Sequence, residues 1–230
     1  MKFLRSLFLC LIIFSCSNSE NWTPLFNGKD LSGWHIYNGS DNLNGWYVDN
    51  EVLVFDPTKR TEATNASLIT DKAYENFELS LDWMISENGN SGLFWAVIED
   101  TTYNYPYQTG PEIQILDDDW TEYIEERGDI QRAGSIFNIL PPSEVVSLPS
   151  GAWDSYLLHI DQVNNKGWLD FNGTRVLEFP VNGIEWTNLV ANTPFADWDN
   201  FGTQRRGHIG LQDHGAKVAF RRIKIRELTP

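Results

Sequence analysis

The sequence predicts an all-β protein, a sandwich of two antiparallel sheets, on three observations. Short alternating runs recur along the chain, Gly, Asn and Pro turn signals separate them, and helical periodicity is almost absent. With 230 residues, 41% of them hydrophobic, the chain can bury one core. Its ten Trp, eight Tyr and thirteen Phe suit large sheet cores. They equally suit clefts in which flat rings meet the apolar faces of sugars. A formal net charge of -15 argues against nucleic acid as a partner, because such a surface repels phosphate. Neutral ligands and cations stay open.

Residues 1–16 read as a removable secretory leader. Lys2 and Arg5 precede an apolar run from Leu7 to Phe14, and Ser15-Cys16 closes it. The run is too short to cross a bilayer as a helix of the mature protein. Ile13-Phe14-Ser15-Cys16 resembles a bacterial lipoprotein signal, in which Cys16 becomes the lipidated first residue. Plain signal-peptidase cleavage nearby is the alternative. The expected organisation is a leader at 1–16, a polar tether at 17–22 and one domain at 23–230. Membrane contact is then only through lipid on Cys16, at the bacterial envelope, periplasmic or outer-membrane. Loss of Lys2 and Arg5 leaves 15 basic against 32 acidic residues, a net charge of -17. No cysteine remains for a disulfide, a catalytic thiol or a structural zinc site.

In chain order, Asn27-Gly28 marks a first turn, and Trp46 to Phe55 reads as two short strands about Asp49-Asn50. Ser67 to Thr70 is a short strand. Asn76 to Trp83 is the cleanest, with Phe77, Leu79, Leu81 and Trp83 on one face and Glu78, Ser80 and Asp82 on the other. Asn88 to Gly92 is a turn and Leu93 to Ile98 a strand. Thr101 to Thr109 is a loop lined with Tyr rings, and Asp118 to Arg127 holds one short helix. Ala133 to Leu140 is expected as a strand ended by Pro141-Pro142. Trp153 to Gln162 alternates again, and a hairpin turns at Asn172-Gly173. Val181 to Arg206 reads as a long, mostly irregular insertion carrying Trp186 and Trp198. His208 to Leu211 and Lys217 to Leu228 close the domain. In the last strand Val218 and Phe220 are in one phase and Ile223 and Ile225 in the other. A slip of one residue would turn the apolar set outward, so a β-bulge is expected near Arg221-Arg222.

The chemistry-bearing residues gather around Gly110 to Asp119. As a strand, this stretch sends Ile113 and Ile115 one way and Glu112, Gln114 and Leu116 the other. Glu112 and Gln114 then lie about 7 Å apart on one sheet face. Asp117, Asp118 and Asp119 follow and could bind a hard cation through oxygen, or form a solvated acidic turn. Gln212-Asp213-His214-Gly215 is a polar turn between two strands. His214 there suits a base near neutral pH or a metal ligand, against the plainer reading of a solvated surface histidine. Arg132 and the Asn90-Ser91 turn complete the candidates. His35, His159 and His208 have weaker claims. No zinc-protease, calcium-loop, phosphate-loop or nucleophile-elbow motif is present.

Five motifs in order resemble the 3-keto-disaccharide hydrolase family. They are Leu25 to Trp34, Asn90 to Phe94, Gly110 to Asp118, Gly210 to Gly215 and Phe220 to Leu228, and the resemblance covers about Trp22 to Leu228. It implies a concanavalin A-like jelly roll with its cleft on a concave sheet, acting on sugars oxidised at carbon 3. Ala96 stands where the family pattern leads one to expect arginine, and Phe137 where it leads one to expect tyrosine. A ketone at carbon 3 acidifies the proton at carbon 2, so one base and a stabilised enolate suffice. The paired carboxylates of ordinary glycosidases are not needed. Glu112, His214 and Asp117 are the catalytic candidates, and Gln114, Arg132, Asn90, Trp95 and Asp213 the substrate-binding ones. A divalent metal ion is allowed but not required, with Glu112, Asp117 and His214 as its candidate ligands. The alternatives are a non-catalytic carbohydrate-binding lectin on the same fold and a conventional two-carboxylate glycosidase.

Overall fold

The computed structural model describes residues 21–39 and 42–229. The leader, Cys16 and most of the expected tether lie outside them. Thirteen strands form among the described residues: β1 (Thr23–Pro24), β2 (Trp34–Ile36), β3 (Trp46–Asp49), β4 (Val52–Phe55), β5 (Leu68–Thr70), β6 (Phe77–Ile85), β7 (Asn90–Val97), β8 (Glu112–Leu116), β9 (Asp154–Asp161), β10 (Lys166–Phe171), β11 (Thr174–Phe179), β12 (His208–Leu211) and β13 (Val218–Glu227). Two short helices, α1 (Thr121–Arg127) and α2 (Gly183–Val190), interrupt them. The strands make two antiparallel sheets. One runs β11-β10-β9-β6-β13-β4-β3 with β1 paired to β13, and the other runs β2-β5-β12-β7-β8.

Alternation decides which side chains meet between the sheets. Phe77, Leu79, Leu81, Trp83 and Ile85 of β6 and Tyr156, Leu158 and Ile160 of β9 face inward and are buried. Ile113 and Ile115 of β8 come from the other sheet to the same core. Burying each of these large side chains contributes about 1.5–3 kcal/mol. The bulge in β13 is where the phase slip placed it. Pairing with β6 shifts between Arg221 and Lys224, and Arg222 sits at φ 53. The extra residue returns Ile223 and Ile225 to the core after Val218 and Phe220.

Four expectations are corrected. Ala133–Leu140 is not a strand. Gly134 at φ 80 and Asn138 at φ 57 wind the segment into turns, and only Ile136 bridges to Ile113 and Leu140. The insertion at 181–206 is partly ordered as α2, which buries Trp186 and Val190 one turn apart. β7 begins at Asn90, so Asn90 and Gly92 belong to the strand, and the turn before it closes from Gly89 N to Ser86 O at 2.9 Å. Trp22, expected in the tether, packs beneath Lys224 and Arg226.

Candidate functional site

β8 pairs with β7 at the edge of the five-stranded sheet, with Gly92 opposite Gln114 and Phe94 opposite Glu112. The phase that sends Ile113 and Ile115 into the core sends Glu112 and Gln114 to the sheet's other face. Asn90 and Gly92 of β7 share that face. A Cβ on Gly92 would lie 2.0 Å from Glu112 Oε1, so glycine leaves the niche in which the carboxyl lies. The result is a cleft of about 260 Å³. Its floor is Asn90, Glu112, Gln114 and Gln212, and His214 stands exposed at its rim. The rings of Tyr107, Tyr123, Phe137, Phe195, Trp198 and Phe201 line it.

Glu112 is only 8% exposed, and none of the ion pairs of the described residues includes it. Burial raises its pKa well above the ordinary glutamate value, and a hydrogen bond from Gln212 pulls back. The Gln114 amide, oriented to satisfy its surroundings, donates to Glu112 Oε1 at 3.2 Å and to Ser91 O at 3.0 Å. Gln212 Oε1 is buried and unpartnered, a buried acceptor left unsatisfied at the cleft floor. Burial keeps the Tyr107 and Tyr123 phenols protonated, and the nearby Glu112 charge adds to the effect. Tyr123 is oriented by donating to Gln131 Oε1 at 2.6 Å.

The ring wall comes from the far end of the chain. Phe195 stacks on Phe201 at 4.4 Å and meets Trp198 at 5.1 Å, and Trp198 reaches Tyr107 at 6.0 Å. Two hydrogen bonds tie it to the 101–109 loop, Gly202 N to Thr109 O at 2.7 Å and Asn200 Nδ2 to Tyr103 Oη at 2.8 Å.

Of the residues singled out from sequence, Glu112, Gln114, Asn90 and His214 come together here. Four do not. Asp117 is turned to the main chain, accepting from Asn88 N at 2.7 Å and Asp119 N at 3.2 Å. Asp213 braces the 60–66 segment, accepting from Arg60, from Ala66 N at 2.9 Å and from Gly215 N at 3.0 Å. Arg132 pairs with Asp129 outside the cleft. Trp95 follows Leu93 into the core, against Phe179 at 5.6 Å and Trp186 at 6.2 Å. The proposed metal set of Glu112, Asp117 and His214 is not assembled. Among the described residues no group of three His, Cys, Asp or Glu side chains is placed to hold a metal ion. Ala96 sits in the core at φ 56, while Phe137 does line the cleft, its phenyl ring standing where a hydroxyl was expected.

Five cleft residues are not among the candidates the sequence suggests: Tyr107, Tyr123, Phe195, Trp198 and Phe201. The signal for four of them was ring density in two segments outside the strands, Thr101–Thr109 and the 181–206 insertion; Tyr123 stands on α1 and had no such signal.

A family model described as a 3-keto-alpha-glucoside-1,2-lyase-like domain matches residues 21–226. A 3-keto-disaccharide hydrolase of Bacteroides thetaiotaomicron is 28% identical over 236 residues, covering 92% of this chain and 80% of that protein. A candidate glycosyl hydrolase of known structure from Parabacteroides distasonis is 32% identical with a TM-score of 0.82, covering 91% of this chain and 95% of its own. A Bacillus subtilis protein with a galectin-like fold superposes at a TM-score of 0.54 with 14% identity over 90% of this chain and 94% of its own. At that identity it supports the jelly-roll fold alone.

Proposed function

The chain belongs to the 3-keto-alpha-glucoside-1,2-lyase-like domain family, and we propose that its cleft cleaves glycosides oxidised at carbon 3. The observation that carries this reading is Glu112, a carboxyl buried at the floor of a ring-walled cleft and held by amides rather than by a cation. Such a group is tuned upward as a base. It takes the proton at carbon 2, and the electron pair moves onto the carbon 3 oxygen as an enolate. Collapse of the enolate breaks the bond from carbon 1 to the leaving oxygen. In this reading His214, at the rim, returns a proton to that oxygen. Water then adds across the enone, hydroxyl to carbon 1 and hydrogen to carbon 2, and net hydrolysis results. The phenol of Tyr107 and the amides of Asn90 and Gln212 are the donors at hand for the enolate.

A two-carboxylate glycosidase needs a second acid about 5–5.5 or 6.5–9.5 Å from the first. Among the described residues that line the cleft, Glu112 is the one carboxylate. A lectin gains nothing from burying an uncompensated acid. The test offers the leaderless chain a 3-keto-glucoside and its unoxidised parent in deuterated water. We expect only the keto sugar to react, with deuterium arriving at carbon 2 of the product. Equal cleavage of the parent would replace this reading with conventional glycosidase chemistry. The leader implies lipid anchoring at Cys16 in the envelope, and Cys16→Ala should move the protein out of the membrane fraction.

A further inference from the structure

Beside the cleft runs a second, larger hollow of about 590 Å³. It lies between the 101–105 loop and the 62–65 segment, with Tyr105 and Asn104 on one side and Glu62, Ala63 and Thr64 on the other. Two contacts join its lining to that of the cleft. Tyr105 stacks in parallel on the cleft residue Tyr107 at 5.1 Å and 7°. Asn65 Nδ2 donates to Asp213 O at 3.1 Å, one residue before His214 at the rim.

Tyr105 presents an open ring face. One side lies on Tyr107, yet the residue is 39% exposed and lines the hollow. The opposite wall is built stiff. Asn44 Oδ1 accepts from Thr61 N at 3.0 Å and Glu62 N at 2.9 Å, and the Arg60–Asp213 ion pair ties the segment to the cleft rim. Among its described lining residues Glu62 is the charged group and no Lys or Arg is present, which disfavours an anionic ligand. The cleft itself, at about 260 Å³, falls just below the range of about 300–1,000 Å³ usual for small-molecule sites, so it suits a single ring.

We propose that this hollow is the leaving-group subsite, taking a second, neutral hexose ring with Tyr105 as its stacking platform. The proposal rests on the reading of the cleft as the site of 3-keto-glycoside cleavage. The experiment compares a 3-keto-disaccharide with methyl 3-keto-glucoside on the mature protein, on Tyr105→Ala and on Ala63→Trp. The second variant fills the hollow from an exposed position of the far wall and leaves the Tyr107 stack untouched. Both variants should lose about tenfold in kcat/KM on the disaccharide, through KM, and stay within about twofold of the parent on the methyl glycoside. Equal loss on both substrates, or no loss on the disaccharide, would overturn the subsite. Should the parent protein cleave neither substrate, the proposed reaction fails and the subsite is decided by binding. Unoxidised disaccharide must then bind more tightly than methyl glucoside, and both variants must lose that preference; equal or absent binding refutes it.

Discussion

Glu112, Glu78 and Asp82 are equally buried, each 8% exposed, and the protein treats them in opposite ways. On the outer face of the eight-stranded sheet every such acid is answered by charge. Glu78 meets Arg226 and, at 3.0 Å, His159. Asp82 accepts from Arg221 Nε at 2.9 Å and Arg222 Nε at 2.6 Å. In the cleft of the five-stranded sheet Glu112 is given two amides and aromatic walls. Burial without a cation makes ionisation costly. Asp154, also buried without one, is answered by the Asn172 amide and Leu148 N, whereas Glu112 lines the cleft, where a proton has to move. An acid buried without a cation marks chemistry only where it also lines a cleft.

The sharpest way to break the comparison is Glu112→Gln. We expect kcat/KM to fall by about 10²–10⁴ with thermal stability held or raised, since the substitution removes a buried acid and keeps its shape. A loss of folding with activity intact in the survivors would make Glu112 a structural residue. Next in size, Gly92→Ala should cost about 10² in kcat/KM by displacing the carboxyl, and a structure of the variant should show the carboxyl moved. His214→Ala should cost only about tenfold, because an exposed rim group assists departure and does not start the reaction. An effect larger than that of Glu112→Gln would exchange the two roles.

The pH dependence sharpens the same contrast. The folded state holds the Glu112 proton more tightly than the unfolded chain, whose ordinary value is 4.5. The stability from this group is therefore full below that value and is lost as pH rises through the raised folded value. Activity should run the other way, rising across the same window as the base forms. Both trends should vanish in Glu112→Gln. The smallest effect belongs to the outer face. Asp82→Ala should cost about 1–2 kcal/mol of stability, read by denaturant unfolding, and leave kcat/KM unchanged.

Much of this was legible because a strand's two-residue period converts sequence directly into direction. The slip between Phe220 and Ile223 located a bulge, and the alternation about Ile113 and Ile115 put Glu112 and Gln114 on one face. The same period, extended from Leu93, would have sent Trp95 to the core. Its placement in the cleft came from family resemblance and not from phase. Asp117 and Asp213 show a different limit: an acid in a polar turn looks alike whether it faces solvent, a ligand or its own backbone amides. Phe195, Trp198 and Phe201 lie some eighty residues beyond the strand they cover. Their return to the 101–109 loop depends on hydrogen bonds from Gly202 to Thr109 and Asn200 to Tyr103, which no local pattern announces.

The niche above Gly92 also couples two positions in one direction only. A Cβ at 92 and the Glu112 carboxyl claim the same space, so a methyl group there is accommodated by swinging the carboxyl off the cleft floor. Shortening the acid, by contrast, asks nothing of the glycine. The position of the reacting group is thus set by a space about as wide as one methyl group on the neighbouring strand.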